Sequence, residues 1–140
     1  MTEFSAKERT LARENILKVF YQHDLNQYSF SDITKTFIEK RPFDKDYFNN
    51  IIHLYELNTD KINNFIEKNS DISLDTLSPI DRSILRLAVC ELQYREDVPG
   101  KVILNESINI AKKYSSSESY KFVNTILDKL LTKMKTNDKE

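Results

Sequence analysis

Three groups of side chains in this sequence have types and spacings that could do chemistry. Arg82 and Arg86 stand four residues apart, on one stripe of a helix and close to its start, where the dipole also favours an anion. Such a pair can hold phosphate or can pair with acids, for instance Arg82 with a carboxylate of another helix, and spacing alone favours the ion pair. Lys7, Arg9 and Arg13 form a looser cationic group, interrupted by Glu8, Thr10 and Leu11 and followed by Glu14. Glu118, Lys121 and Phe122 make a third group, in which Phe122 lies about 100° around its helix from Val123 and so borders the apolar face rather than centring it. Residue types suited to catalysis are sparse. His23 and His53 are isolated and read as packing or surface histidines, and Cys90 within an apolar helix reads as a small hydrophobe. The chain has one glycine, so a glycine-rich phosphate loop is excluded, and no metal-ligand spacing or nucleophile elbow is present. The expectation is a protein that is not an enzyme and uses no cofactor or metal.

The elements that must position these residues can be read from capping signals and periodicity. Ser5 and Glu8 have capping-box spacing ahead of Leu11, Ile16, Leu17, Val19 and Phe20, which predicts a first helix over about 6–24. Ser31 can cap a short second helix through Ile33, Phe37 and Ile38 that Pro42 must end. Phe48, Ile51, Ile52, Tyr55, Ile62, Phe65 and Ile66 then follow the 3.6 period and predict one long helix over 45–68, with Asn58 to Asp60 as the place where it could break. Residues 69–77 are polar and read as a connector.

Ser78-Pro79-Ile80-Asp81 is the sharpest start signal: a capping serine, proline at the first helical position and an acid at the third. The helix it opens, to about Arg95, is apolar around so much of its circumference that it must be largely surrounded. Pro99 and Gly100 mark a tight corner into a further helix, and Ser115 with Glu118 repeats the capping-box spacing before a last helix built on Val123, Ile126, Leu127, Leu130 and Leu131. Beyond Met134 the tail is expected to fray.

The totals agree with one all-helical domain. The 140 residues suffice for a single sizeable core, and one Gly with three Pro leaves too few turn residues for many short strands. A lone cysteine fits a reducing compartment, and no apolar run approaches the ~20 residues of a membrane span, so the chain reads as cytoplasmic. The net charge of −1 predicts no polyanion partner by itself, but charge is unevenly placed. Residues 39–78 carry five basic against eight acidic side chains, whereas from Lys112 onward there are seven lysines against four acids. The C-terminal part is the cationic one, and the acidic segment is expected to face away from any polyanion.

Two long stretches, "SPIDRSILRLAVCEL" and "DVPGKVILNESINIAKKYSSSESYKFVNTILDKL", closely resemble the NusB family of transcription antitermination factors. The N-terminal "ARENILKVFYQHDL" is similar to that family's opening helix. The likeness is strong over about 77–131, fair over about 9–25 and weak between. It implies two small helical bundles packed across each other, a first over about 5–70 and a second over about 78–134. The fold also occurs at the front of some ribosomal-RNA methyltransferases, for whose catalytic domain 140 residues leave no length.

The resemblance implies binding of single-stranded boxA RNA together with the small-subunit ribosomal protein NusE, in a complex on elongating RNA polymerase, chiefly on ribosomal-RNA operons. Single-stranded RNA needs cations for phosphates and flat side chains for unstacked bases. Matching positions make Arg82, Arg86, Lys121 and Phe122 candidates for RNA contact, with Glu118 a candidate acceptor for a base amino group. Lys7, Arg9 and Arg13 are kept as candidates, although the family often carries a denser arginine cluster there, and Arg13 next to Glu14 also reads as a structural pair. Tyr21 and Asp81 match positions at the NusE-binding surface, where they otherwise read as a half-buried tyrosine and a helix-start acid. The alternative is a scaffold that binds only protein, or a homodimer that hides its RNA surface.

Overall fold

The computed structural model describes residues 5–138, with side chains as far as residue 133. Its elements are α1 (Ala6–Asn26), α2 (Phe30–Thr36), α3 (Lys45–Ser70), α4 (Pro79–Tyr94), α5 (Gly100–Tyr114) and α6 (Ser117–Asp138), with a single 3-10 turn at Leu74–Thr76 inside the connector. No strand occurs among the described residues. Helices α1–α3 form one small bundle and α4–α6 the other, packed across each other where α1 and α3 meet α4.

Helix α4 occupies the centre because it has almost no polar face to give to water. It packs against α1, α3, α5 and α6. Along it Ile84, Leu85, Leu87, Ala88, Val89 and Cys90 are buried, and so are Asp81, Ser83 and Glu91. Ser78 caps it as the sequence predicts, its hydroxyl accepting the Asp81 N–H at 3.1 Å.

The expected long helix is one continuous element with a kink. Asn58 leaves helical geometry at φ −126°, ψ 22°, and its side-chain amide donates to the Leu54 carbonyl while Thr59 donates to that of Tyr55. Side chains that bond back to the preceding turn bend helices without ending them. At Gly100 the reason for glycine is space: an added Cβ would lie 3.0 Å from Leu131 Cδ1, so this corner lets α5 start close against α6.

Three details differ from expectation. Helix α2 is capped by Ser29 rather than Ser31 and ends at Thr36, because burying Phe30 requires the helix to start there. Residues 37–44 are therefore an extended run over the surface. Helix α6 is capped by Ser116, whose hydroxyl accepts the Ser119 N–H at 3.0 Å, while Ser115 donates to Asp81 Oδ1 at 2.6 Å. The same helix continues past Met134 to Asp138, and residues 139–140 lie outside the described part.

Candidate nucleic-acid interface

The cationic residues fall into three environments. Arg13 sits on α1 at 2% exposure, against two other helices. Its Nε lies 3.0 Å from both oxygens of Glu91 on α4, and Nη1 donates to Glu106 Oε1 on α5 at 3.0 Å. Thr10 also donates to Glu106, at 2.5 Å, and the Tyr47 hydroxyl of α3 donates to Glu91. Burial works against the guanidinium's charge, yet Glu91 and the neighbouring groups more than offset it, so its pKa rises. Burial, with the Glu91 charge, pushes the Tyr47 hydroxyl up as well. Arg13 thus ties α1 to α4 and α5, and through Glu91 to Tyr47 of α3, and its side chain is 3% exposed.

Arg9, one turn earlier, keeps a quarter of its side chain exposed. It bonds the α3 cap Asp44 at 2.8 Å and covers the Tyr47 ring at 3.9 Å, a ring that Arg95 at the end of α4 also approaches, at 4.5 Å. Cation–ring packing of this kind favours arginine over lysine. Lys7, about 200° around α1 from Arg9, stands on the other flank of that helix and is exposed.

Arg82 and Arg86 both reach the same carboxylate on α1. Arg82 Nη2 lies 2.6 Å from Asp24 Oδ2 and Arg86 Nη1 lies 3.1 Å from Asp24 Oδ1. Arg82 also donates to the Leu77 carbonyl, and Arg86 to Asn63 Oδ1 on α3. An acid from another helix is the partner expected for Arg82; nothing in the spacing indicates that one aspartate serves both arginines. Their side chains remain 19% and 14% exposed.

The α6 group differs in kind. Glu118, Lys121 and Phe122 are all exposed, at i, i+3 and i+4 and hence side by side, and Phe122 holds 47% of its surface in water. Val123, Ile126, Leu127 and Leu130 take the core face instead. Nearby, Lys112 stands 5.8 Å above the Tyr120 ring. An exposed aromatic beside a cation is the arrangement that stacks bases and holds phosphate.

Tyr21 is half-buried, whereas Asp81 is 4% exposed; its carboxylate accepts the Ser115 hydroxyl, and its backbone N–H donates to the Ser78 cap at the start of α4. Of the groups suited to catalysis, His23 stacks on Phe30 at 4.0 Å, His53 is exposed, and Cys90 is fully buried with its thiol pushed up to about 12 by burial. No cluster of three metal-ligating side chains occurs among the described residues, and no described helix is long and apolar enough to cross a membrane.

These features define a helical binding module that keeps Phe122 and its charged neighbours at the surface and holds Arg13, Arg82 and Arg86 in helix seams. A family model, that of the NusB family, matches residues 10–132. The transcription antitermination protein NusB of Psychromonas ingrahamii is 32% identical over 140 residues, covering 95% of this chain and 94% of that protein. Its counterpart from Listeria monocytogenes is 40% identical over 121 residues, covering 86% and 93%. Among solved structures, T. maritima NusB superposes with a TM-score of 0.81 at 31% identity, over 89% of this chain and 90% of that one. The chain belongs to the NusB family.

Proposed function

We propose that this chain is a non-enzymatic transcription antitermination factor of the cytoplasm. It binds single-stranded boxA RNA together with NusE and joins the elongating polymerase complex, chiefly on ribosomal-RNA operons. The observation that carries the RNA half is Phe122, a large aromatic kept 47% exposed beside Lys121 and Glu118 in a helix whose apolar stripe is otherwise buried. In this reading Phe122 stacks a base, Lys121 and Lys7 meet phosphates, and Glu118 accepts from a base amino group. Arg82 and Arg86 take part by trading Asp24 for phosphate, while Arg9 and Arg13 shape α1. Tyr21 and the α4 start at Asp81 face NusE. The two bundles, about 5–70 and 78–134, act as one unit.

One observation favours the second reading, a scaffold that binds only protein: Arg9, Arg13, Arg82 and Arg86 all meet carboxylates of the chain itself. Fluorescence anisotropy of a labelled boxA RNA, with and without NusE at two salt concentrations, separates the two. Salt-sensitive binding that tightens with NusE is expected, and Phe122→Ala should weaken it by about 1–3 kcal/mol. NusE binding without any RNA binding would leave only the scaffold.

A further inference from the structure

A groove runs along the flank of α1 opposite Arg9 and Arg13. Lys7, Leu11, Glu14 and Lys18 are spaced four, three and four apart, so they share that one face of the helix. The extended run 37–44 crosses this flank and is pinned there by the Asp44 N–H, which donates to the Glu8 carbonyl at 3.2 Å. Arg41 and Pro42 form the far wall, and the space between holds about 410 Å³, within the roughly 300–1,000 Å³ of small-ligand sites.

The groove has a group of each kind that a nucleotide needs. At its cationic side stand Lys7 and Arg41, both exposed. Arg41 is turned onto Glu39 in a two-pronged pair, with Nη2 to Oε1 at 2.8 Å and Nε to Oε2 at 3.0 Å. The arginine side chain is 62% exposed and that of Glu39 9%, so a phosphate reaches the guanidinium from the solvent side and competes with this carboxylate. Leu11 and Pro42 supply apolar surface. Glu14 lines the groove as well, and both of its hydrogen bonds, from Lys113 Nζ at 2.7 Å and the Tyr114 hydroxyl at 2.6 Å, fall on Oε1. Its Oε2 accepts no hydrogen bond from the described residues. Although burial alone would raise its pKa, Lys113 and Tyr114 hold it below the ordinary carboxylate value, so the group is an acceptor at neutral pH.

We infer that this groove binds one nucleotide of single-stranded RNA, its phosphate between Lys7 and Arg41 and an amino-bearing base, cytosine or adenine, against Leu11 and Pro42 with its amino group on Glu14 Oε2. The inference deepens the RNA reading above and rests on it. It also explains how α1, whose arginines are turned into helix seams, still offers a cationic surface: the second cation comes from the run before α3.

The test uses the full chain with NusE and labelled boxA RNA. Arg41→Ala should bind several-fold more weakly, with the slope of log affinity against log salt lower by about 0.7, and Arg41→Lys should restore that slope. Glu14→Gln should erase the loss seen when one particular cytidine or adenosine of the RNA is replaced by uridine. If Phe122→Ala weakens binding while Arg41→Ala changes neither affinity nor slope, the groove is not an RNA site although the RNA reading stands. An effect of Arg41→Ala on NusE capture without RNA would also overturn it, assigning the groove to protein. Absence of RNA binding by the unsubstituted chain would instead sink the RNA reading itself.

Discussion

Arg13 stays charged at 2% exposure because carboxylates from two other helices meet it. Removing one member of such a set leaves the others buried without compensation, a loss of about 3–5 kcal/mol. Arg13→Ala should therefore lower the urea midpoint by that equivalent with the m-value unchanged, while far-UV circular dichroism still shows a helical fold at low urea. A loss under about 1 kcal/mol would mean that Glu91 and Glu106 find other partners and that Arg13 is not what joins the helices. The residue's importance could be suspected from the sequence, but its role could not. Its neighbour Glu14 suggested a local pair, whereas the partner Glu91 lies 78 positions away and only the fold brings it near. Asp24, which gathers Arg82 and Arg86, was hidden for the same reason, standing 58 and 62 positions from them. Phe122 was easier to place, since its angular offset from the apolar stripe is a property of one helix.

At the scale of elements, the order of all six helices and most of their bounds could be read from caps and periods; α2 and α6 end elsewhere than expected, and both also differ in which of two nearby serines caps them. Ser115 with Glu118 and Ser116 with Ser119 have the same spacing, so local pattern cannot choose between them. A long-range contact chooses: Asp81 takes the Ser115 hydroxyl, and Ser116 is left to cap α6. The two serines should consequently respond differently to substitution. Ser116→Ala should cost about 1 kcal/mol in any background, the usual value of a helix cap. Ser115→Ala should cost roughly 1.5–3 kcal/mol, a hydrogen bond to a carboxylate, and this cost should largely vanish in an Asp81→Ala background, where the acceptor is gone. Denaturant unfolding of the single and double variants measures both; equal, independent costs would show that Ser115 and Asp81 do not act as a pair. The same reasoning covers α2, where the need to bury Phe30 overrode an equally plausible cap at Ser31.

For the whole molecule, composition and the all-round apolar pattern of α4 were enough to foresee a helical fold with that helix at its centre, because both depend on area rather than on particular partners. With α4 shared between the bundles, the molecule should unfold as a single unit. Helix α4 touches α1, α3, α5 and α6, and Cys90 at its middle is fully buried, its sulfur 3.8 Å from the Ile51 carbonyl of α3. Burial first, and the Glu91 charge second, push the thiol up from 9.0 to about 12. Because the folded value is the higher, the stability gained by keeping the thiol protonated is complete below about pH 9 and is lost as pH rises toward 12. At about pH 8, below that window, a disulfide reagent reaches Cys90 only when the two bundles come apart. Its labelling rate, divided by that of the chain in urea, should equal the unfolding constant measured by denaturation. Arg13→Ala should then speed labelling by roughly a hundred- to several-thousand-fold, the loss of about 3–5 kcal/mol expressed as a population. Labelling much faster than the unfolding constant, and indifferent to Arg13→Ala, would show that α4 opens locally and that the two bundles are not one cooperative unit.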